Sequence, residues 1–262
     1  MGKKRNKFVD AHNHLTQEFY PEWVIDEIID QAQLHNIEFM IVNGSSRKRN
    51  LEVIELAKKH SIVKAAIGIH PEDLQHEDDY KLVEELICPE IVGIGEIGLD
   101  YYYQEGPNRE LQLKALENQL KLAQKHNLPV VMHIRDKEGS WEAYQDAFDL
   151  LSKYKVRSML HTFAGNLEWA QKFMQLDTYF SFSGVVTFGS SEETRKVIDF
   201  LPVERILTET DAPYLRVHPY SGQKNEPNTV LFVAYYIAGL KKIGMDKFVD
   251  RVNRNLRNLF KL

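Results

Sequence analysis

Glu110-Leu-Gln-Leu-Lys-Ala-Leu-Glu-Asn-Gln-Leu-Lys-Leu-Ala-Gln-Lys-His126 is followed almost at once by Pro129-Val-Val-Met-His-Ile134. In the first segment Leu111, Ala115, Leu116, Leu120 and Ala123 recur at helical spacing with charged residues between them, as in an amphipathic helix. The second is short, apolar and rich in β-branched residues, as in a buried strand. With Ile91-Val-Gly-Ile-Gly-Glu-Ile-Gly-Leu99 ahead of them, they form a strand–helix–strand unit. The same alternation extends outward in both directions. Strands are expected at Phe8–Leu15, Phe39–Gly44, Val63–His70, Ile91–Leu99, Pro129–Ile134, Val156–Phe163, Tyr179–Gly184 and Arg205–Thr210. Helices are expected at Glu22–Leu34, Arg47–His60, Asp78–Ile87, Glu110–His126, Ser140–Tyr154, Leu167–Gln175 and Glu192–Leu201, then at Val230–Lys242 and Lys247–Leu262. Continuously apolar strands alternating with helices indicate a parallel sheet covered on both faces. Eight repeats in 262 residues predict an α/β (β/α)8 TIM-like barrel, a single domain over 1–262, since no Pro/Gly/Ser-rich linker divides the chain. A doubly wound open sheet is the competing architecture, but no Gly-x-Gly-x-x-Gly turn follows the first strand.

Composition narrows the function classes. Hydrophobic residues make up 43% and charged residues 27%, ordinary for a globular enzyme. The single cysteine, Cys88, allows no intrachain disulfide and no cysteine-built zinc knuckle. No run approaches the ~20 apolar residues of a membrane helix. Met1 to Lys7 is basic and leads into Phe8-Val9-Asp10 instead of a signal-peptide apolar region, so a cytoplasmic location is expected. Lys and Arg number 33 against 38 Asp and Glu, a net charge of −5. A global basic field is therefore lacking, and any nucleic acid would be held by a local site. A monomer is the default expectation.

The histidines divide by position. His35, His60 and His126 fall in the last turn of expected helices, where the helix dipole favours an imidazole and no further role is required. His76 reads as a solvated loop residue. His12, His14, His70, His133 and His161 lie at or near the C-terminal ends of expected strands. His12 and His14, two apart, share a strand face and can take adjacent positions on a divalent ion. Glu96 lies in the fourth strand and Asp211 follows the eighth. In a barrel, His12, His14, Glu96, His133, His161 and Asp211 converge at the mouth. Four imidazoles and two carboxylates suit zinc or another first-row divalent ion better than calcium. A carboxylate can also bridge two ions, which would clamp a phosphoryl group and activate water.

Six motifs together resemble the TatD-like deoxyribonuclease family, of the amidohydrolase-like superfamily. They are Asp10-Ala-His-Asn-His-Leu, Gly68-Ile-His-Pro, Gly95-Glu-Ile-Gly-Leu-Asp-Tyr, Leu128-Pro-Val-Val-Met-His-Ile-Arg, His161-Thr-Phe-Ala-Gly and Glu209-Thr-Asp-Ala-Pro-Tyr-Leu. The similarity continues through Asn225-Glu226-Pro227 to Asn258-Leu-Phe, nearly the whole chain. Members often carry Ser or Cys where Thr162 stands, and Ser in place of Ala164 and Ala212; these exchanges leave the candidate ligands intact. The resemblance implies a metal-dependent hydrolase cleaving DNA phosphodiester bonds. It implies that His12, His14, Glu96, His133, His161 and Asp211 hold the metals, two divalent ions per chain drawn from zinc, manganese, magnesium, nickel or cobalt.

The expected action is exonucleolytic, 3′–5′, on single-stranded ends of DNA, with RNA as the further candidate substrate, Asp211 as general base and Glu96 bridging the ions. His70 is a candidate contact to the scissile phosphate or the attacking water, and Arg135 a candidate phosphate clamp. Among Tyr101, Tyr102 and Tyr103, at most one is expected to stack on a base, with Tyr101 and Tyr102 the first candidates. Arg216, His218 and Lys224 lend positive character to the long segment from Asp211 to Asn228. The alternative function is hydrolysis of a carbonyl ester or amide, such as an aminoacyl ester, on the same scaffold. Related amidohydrolases often bridge their metals with a carbamylated lysine, a role Glu96 fills here unmodified.

Overall fold

Met40, Ile41 and Val42 follow one another in a strand, and none is exposed. Successive strand residues point to opposite faces, so such a run requires cover on both sides. In the computed structural model, which describes residues 7–103 and 105–262, eight parallel strands meet this requirement by curving into a nearly closed barrel. They are β1 (Phe8–Asn13), β2 (Ile37–Asn43), β3 (Val63–Ile67), β4 (Ile91–Asp100), β5 (Val130–Arg135), β6 (Ser158–Leu160), β7 (Thr178–Phe182) and β8 (Ile206–Thr208), paired in sequence order. Around them run α1 (Glu22–Leu34), α2 (Arg47–Lys59), α3 (Tyr80–Glu84), α4 (Arg109–His126), α5 (Glu142–Tyr154), α6 (Leu167–Phe173), α7 (Glu192–Phe200), α8 (Val230–Leu240) and α9 (Met245–Phe260). The closed alternative is therefore the correct one, and the open doubly wound sheet is excluded. The basic segment 1–6 lies outside the described residues. No helix among them is long and apolar enough to cross a membrane.

Helix α4 shows how sequence sets the boundaries. Asn108 accepts the Leu111 N–H at 2.9 Å, and Asn127 ends the helix in the left-handed region at φ 52°. Its inner face buries Ala115, Leu116, Leu120 and Ala123, and also Gln112 and Gln119. These two amides brace strand ends. Gln112 bonds the Asp100 N–H and C=O, both at 2.8 Å, and Gln119 bonds those of Ile69 at 2.8 and 3.1 Å. The glycines of β4 let neighbouring elements pack closely. Gly98, at φ 153°, packs so closely on β5 that any side chain there would collide with the His133 carbonyl. At the other end of the barrel, α9 sets Phe260 against Gly93 and anchors Val203 and Ile206 through Asn255 at 2.8 and 2.9 Å.

Several elements are shorter than their apolar runs predict. The expected helix Asp78–Ile87 is helical only over α3, because the Asp79 carboxylate accepts the Gln75 and His76 N–H groups and holds the preceding turn. Strand β3 stops at Ile67, so His70 starts a short 3-10 turn at Pro71–Asp73 instead of ending a strand. Strand β8 stops at Thr208 because the next backbone groups bond across the seam. The Asp211 N–H reaches the His12 carbonyl at 3.0 Å, and the His14 N–H reaches the Ala212 carbonyl at 2.7 Å. Between them the buried Asp10 carboxylate accepts the Thr210 N–H at 2.9 Å, the Thr210 hydroxyl at 2.6 Å, the Asn13 amide at 3.0 Å and the His12 N–H at 3.3 Å. Burial lifts the Asp10 pKa to about 7 against the pull of these donors.

Removing that carboxylate strands buried donors with no other acceptor. Asp10→Ala is expected to cost roughly 2–4 kcal/mol, read as a lower denaturation midpoint at unchanged slope. A loss below about 0.5 kcal/mol would show that the seam closes without it.

Candidate metal centre

The C-terminal ends of the strands bring the six ligand candidates into one buried cluster. His12 and Glu96 project from β1 and β4, and His133 from β5. His14, His161 and Asp211 stand just past the ends of β1, β6 and β8. Asp211 adopts the left-handed backbone at φ 53°, a region aspartate tolerates better than branched residues do. Glu96 sits at the centre, and its two oxygens face different imidazoles. Oε1 lies 2.8 Å from His161 Nε2, 3.1 Å from His133 Nδ1 and 3.6 Å from His70 Nε2. Oε2 lies 3.3 Å from His14 Nε2 and 3.6 Å from His12 Nε2. Asp211 Oδ1 closes the far side at 3.3 Å from His12 and 3.6 Å from His14.

The donor set fits divalent metal ions. Three groups each gather their ligand atoms within 4.8 Å: His12, Glu96 and His161; His12, His14 and Asp211; His70, Glu96 and His133. Imidazole nitrogens and carboxylate oxygens at this density suit zinc and its first-row neighbours. Electrostatics agree. Burial alone would depress the His14 pKa, but Asp211 and Glu96 outweigh it and carry it up to about 10. Against the same burial, Glu96 and Glu209 hold His161 well above the usual histidine value. Burial favours the neutral acid at Glu96, yet the His161 charge beside it keeps its pKa well below the ordinary value. Protons on these imidazoles thus stand where a cation compensates the same carboxylates. Burial and the neighbouring His161 charge keep His12 below the usual value.

Outer partners fix several ligand candidates. His14 Nδ1 meets the Asn43 carbonyl at 3.1 Å, and His133 Nε2 meets Asp100 Oδ2 at 2.9 Å. His161 Nδ1 faces Glu209 Oε1 at 3.5 Å, and that oxygen also takes the Thr162 N–H at 2.7 Å and hydroxyl at 2.5 Å. Such partners set the ring orientation and the nitrogen left for the metal. Sequence reasoning passed over Asp100 and Glu209, although both lie inside quoted motifs next to strand ends. It also missed Asn225. This buried amide donates to the Thr210 and Tyr214 carbonyls at 2.9 and 2.8 Å, and the Asn225 backbone carbonyl accepts the Tyr20 hydroxyl at 2.6 Å, tying down the segment after Asp211.

The candidates for substrate contact separate. His70 is in the cluster, with Nδ1 accepting the Glu72 N–H at 3.2 Å and burial driving its pKa down to about 3. Arg135 has no ion pair among the described residues. Its guanidinium lies 3.9 Å from the Tyr102 ring centre and 5.1 Å from that of Tyr103. Tyr101 does not offer a free ring at the mouth: its hydroxyl donates to Asp146 at 2.8 Å, beside Arg109, and the ring packs into the rim. Arg216 and Lys224 spend their charges on the backbone carbonyls of Lys224 and Phe19. Away from the mouth, His35 bonds Gln31 O at 2.8 Å and His60 bonds Asp26 at 2.7 Å, the structural roles expected of them.

Comparison with known proteins places this geometry. A family model described as TatD related DNase matches residues 9–261. The chain is 34% identical to the uncharacterized metal-dependent hydrolase YabD of Bacillus subtilis, over 97% of this chain and 98% of that protein. It is 31% identical to the uncharacterized metal-dependent hydrolase YcfH of Escherichia coli, over 96% of this chain and 95% of that protein. Among solved structures, the TatD homolog YjjV of Escherichia coli superposes with a TM-score of 0.89 at 27% identity, over 98% of this chain and 99% of that one. Motifs, fold and matched length agree, and the chain belongs to the TatD family of metal-dependent hydrolases.

Proposed function

We propose that the protein is a deoxyribonuclease that hydrolyses phosphodiester bonds at single-stranded ends in the 3′–5′ direction, with RNA as a possible second substrate. The observation that carries the reading is the division of Glu96: one oxygen faces His133 and His161, the other His12 and His14. A carboxylate shared between two donor sets suits a pair of ions, and paired ions suit the two oxygens of an in-line displacement at phosphorus. In this reading His12, His14, Glu96, His133, His161 and Asp211 hold two divalent ions, zinc, manganese, magnesium, nickel or cobalt. When bound, such ions supply Lewis acidity and a more acidic water.

The chain's own residues complete the chemistry. Asp211, ionised and kept so by His12 and His14 against its burial, accepts the proton of the attacking water. His70 stays neutral and presents its Nε2 side to the cluster, where it donates to a phosphoryl oxygen. Arg135, held on Tyr102 and lacking a carboxylate partner among the described residues, pairs with a phosphate at the rim, and the exposed Tyr102 ring offers a face to an unstacked base.

The variant Asp211→Asn keeps the shape of the side chain and removes the proton acceptor. Its kcat is expected to fall by about 10²–10⁴-fold or more, with the fold intact by circular dichroism. Near-normal turnover in a variant that still binds metal would remove Asp211 from the base role.

Substrate topology separates the proposed activity from the carbonyl alternative. Linear single-stranded, linear duplex and covalently closed circular DNA are incubated with the metal-loaded protein, and a panel of esters and amides is run beside them. Cleavage is expected to be fastest on single strands, absent on closed circles and abolished by chelation. Equal cleavage of circles would refute action from ends. Turnover of esters with no DNA cleaved would establish the carbonyl hydrolase instead.

A further inference from the structure

Beside the metal centre, the connection from β4 to α4 and the one from β5 to α5 enclose a cleft of about 470 Å³. Its lining includes Asp100, whose carboxylate holds His133, together with Tyr103, Lys137 and Ser140. Most of its charged groups are already committed. Asp100 also accepts the Tyr102 N–H at 2.9 Å. Asp136 accepts the Ala143 and Tyr144 N–H groups at 2.9 and 3.3 Å, where α5 begins. Arg109 and Tyr101 are both bound to Asp146. What remains for a ligand is Lys137, exposed and without an ion pair among the described residues, and the ring of Tyr103, 48% exposed although its hydroxyl accepts from Arg135 at 3.3 Å. Arg135 stands over Tyr102 and Tyr103 beside the cleft, and Glu142 in its lining is exposed.

An uncommitted ammonium and a half-exposed aromatic ring lining one cleft match one phosphate joined to one base. The volume lies in the range of small-ligand pockets, and the slot adjoins the cluster through a residue bonded to a ligand candidate. We infer that this cleft is a subsite for one nucleotide of a single strand next to the scissile bond, with Lys137 on its phosphate and Tyr103 against its base. This rests on the phosphodiesterase reading above and adds to it how far the strand is gripped. A neighbouring hollow of about 380 Å³ shares Asn108 with the cleft, but its Lys114 is paired with Glu77 at 3.3 Å and Glu110 at 3.2 Å. It offers no free cation for a further phosphate, so the grip ends after one nucleotide.

The test is length dependence. Metal-loaded wild type, Lys137→Glu and Tyr103→Ala are assayed on single-stranded oligothymidylates of two to six nucleotides, and kcat/KM is plotted against length. Wild type is expected to show one step of about tenfold where the strand reaches the cleft, then a plateau, and each variant to lose the step. Fluorescence anisotropy with a labelled phosphorothioate hexamer reads the same contacts without turnover, and each variant is expected to bind about tenfold more weakly. Identical length profiles and affinities in wild type and variants would overturn the subsite. Cleavage by wild type with no length step would also overturn it while leaving the nuclease reading intact. Tight hexamer binding that both variants weaken, in a protein that cleaves no diester, would sustain the subsite and reject the nuclease.

Discussion

The structure depends on a seam closed by one buried carboxylate. Asp10 accepts four donors, two of them from Thr210 on the last strand's extension, and so joins the first strand to the eighth. Between β1 and β8 the ladder is reduced to an isolated bridge from Asn13 to Ala212. A carboxylate can take several donors at once and is well suited to such a gap. Closure there has a direct chemical consequence. It sets His12 and His14 within 3.6 Å of Asp211, which comes from the opposite end of the barrel sequence.

From that seam the cluster is held by successive layers of hydrogen bonds. Asn43 and Asp100 bond the imidazoles from outside, Glu209 faces His161, and Gln112 and Gln119 pin Asp100 at the end of β4 and Ile69 just beyond β3. Helix α4 therefore acts on the site without touching it. The buried amides also explain why polar side chains lie on the inner face of an otherwise amphipathic helix. Each satisfies the backbone N–H and C=O of one residue, and Gln112 also donates to the Pro107 carbonyl at 2.7 Å.

The fold was legible because burial on both faces writes continuous apolar runs, and the candidate ligands because they fall at the ends of those runs. The boundaries were not. Strands β6 and β8 contain three residues each, although their apolar runs are longer, since the flanking groups bond to Glu209, to Asp10 or across the seam. No local pattern shows such long-range bonds. The three successive tyrosines illustrate the same limit: Tyr101 is withdrawn by Asp146, 45 positions away, while Tyr102 and Tyr103 stay open beside Arg135. Nothing local to Gln112 and Gln119 shows that their amides bond Asp100 and Ile69 on the barrel.

The proposed pair of cations would lie at the closed mouth with Glu96 between them. Anomalous diffraction from crystals grown with zinc or manganese reads their number and place. Two peaks are expected, one among Glu96, His133 and His161 and the other among Glu96, His12, His14 and Asp211. A single peak not shared by Glu96, or none at the mouth in protein that hydrolyses its substrate, would contradict the pair.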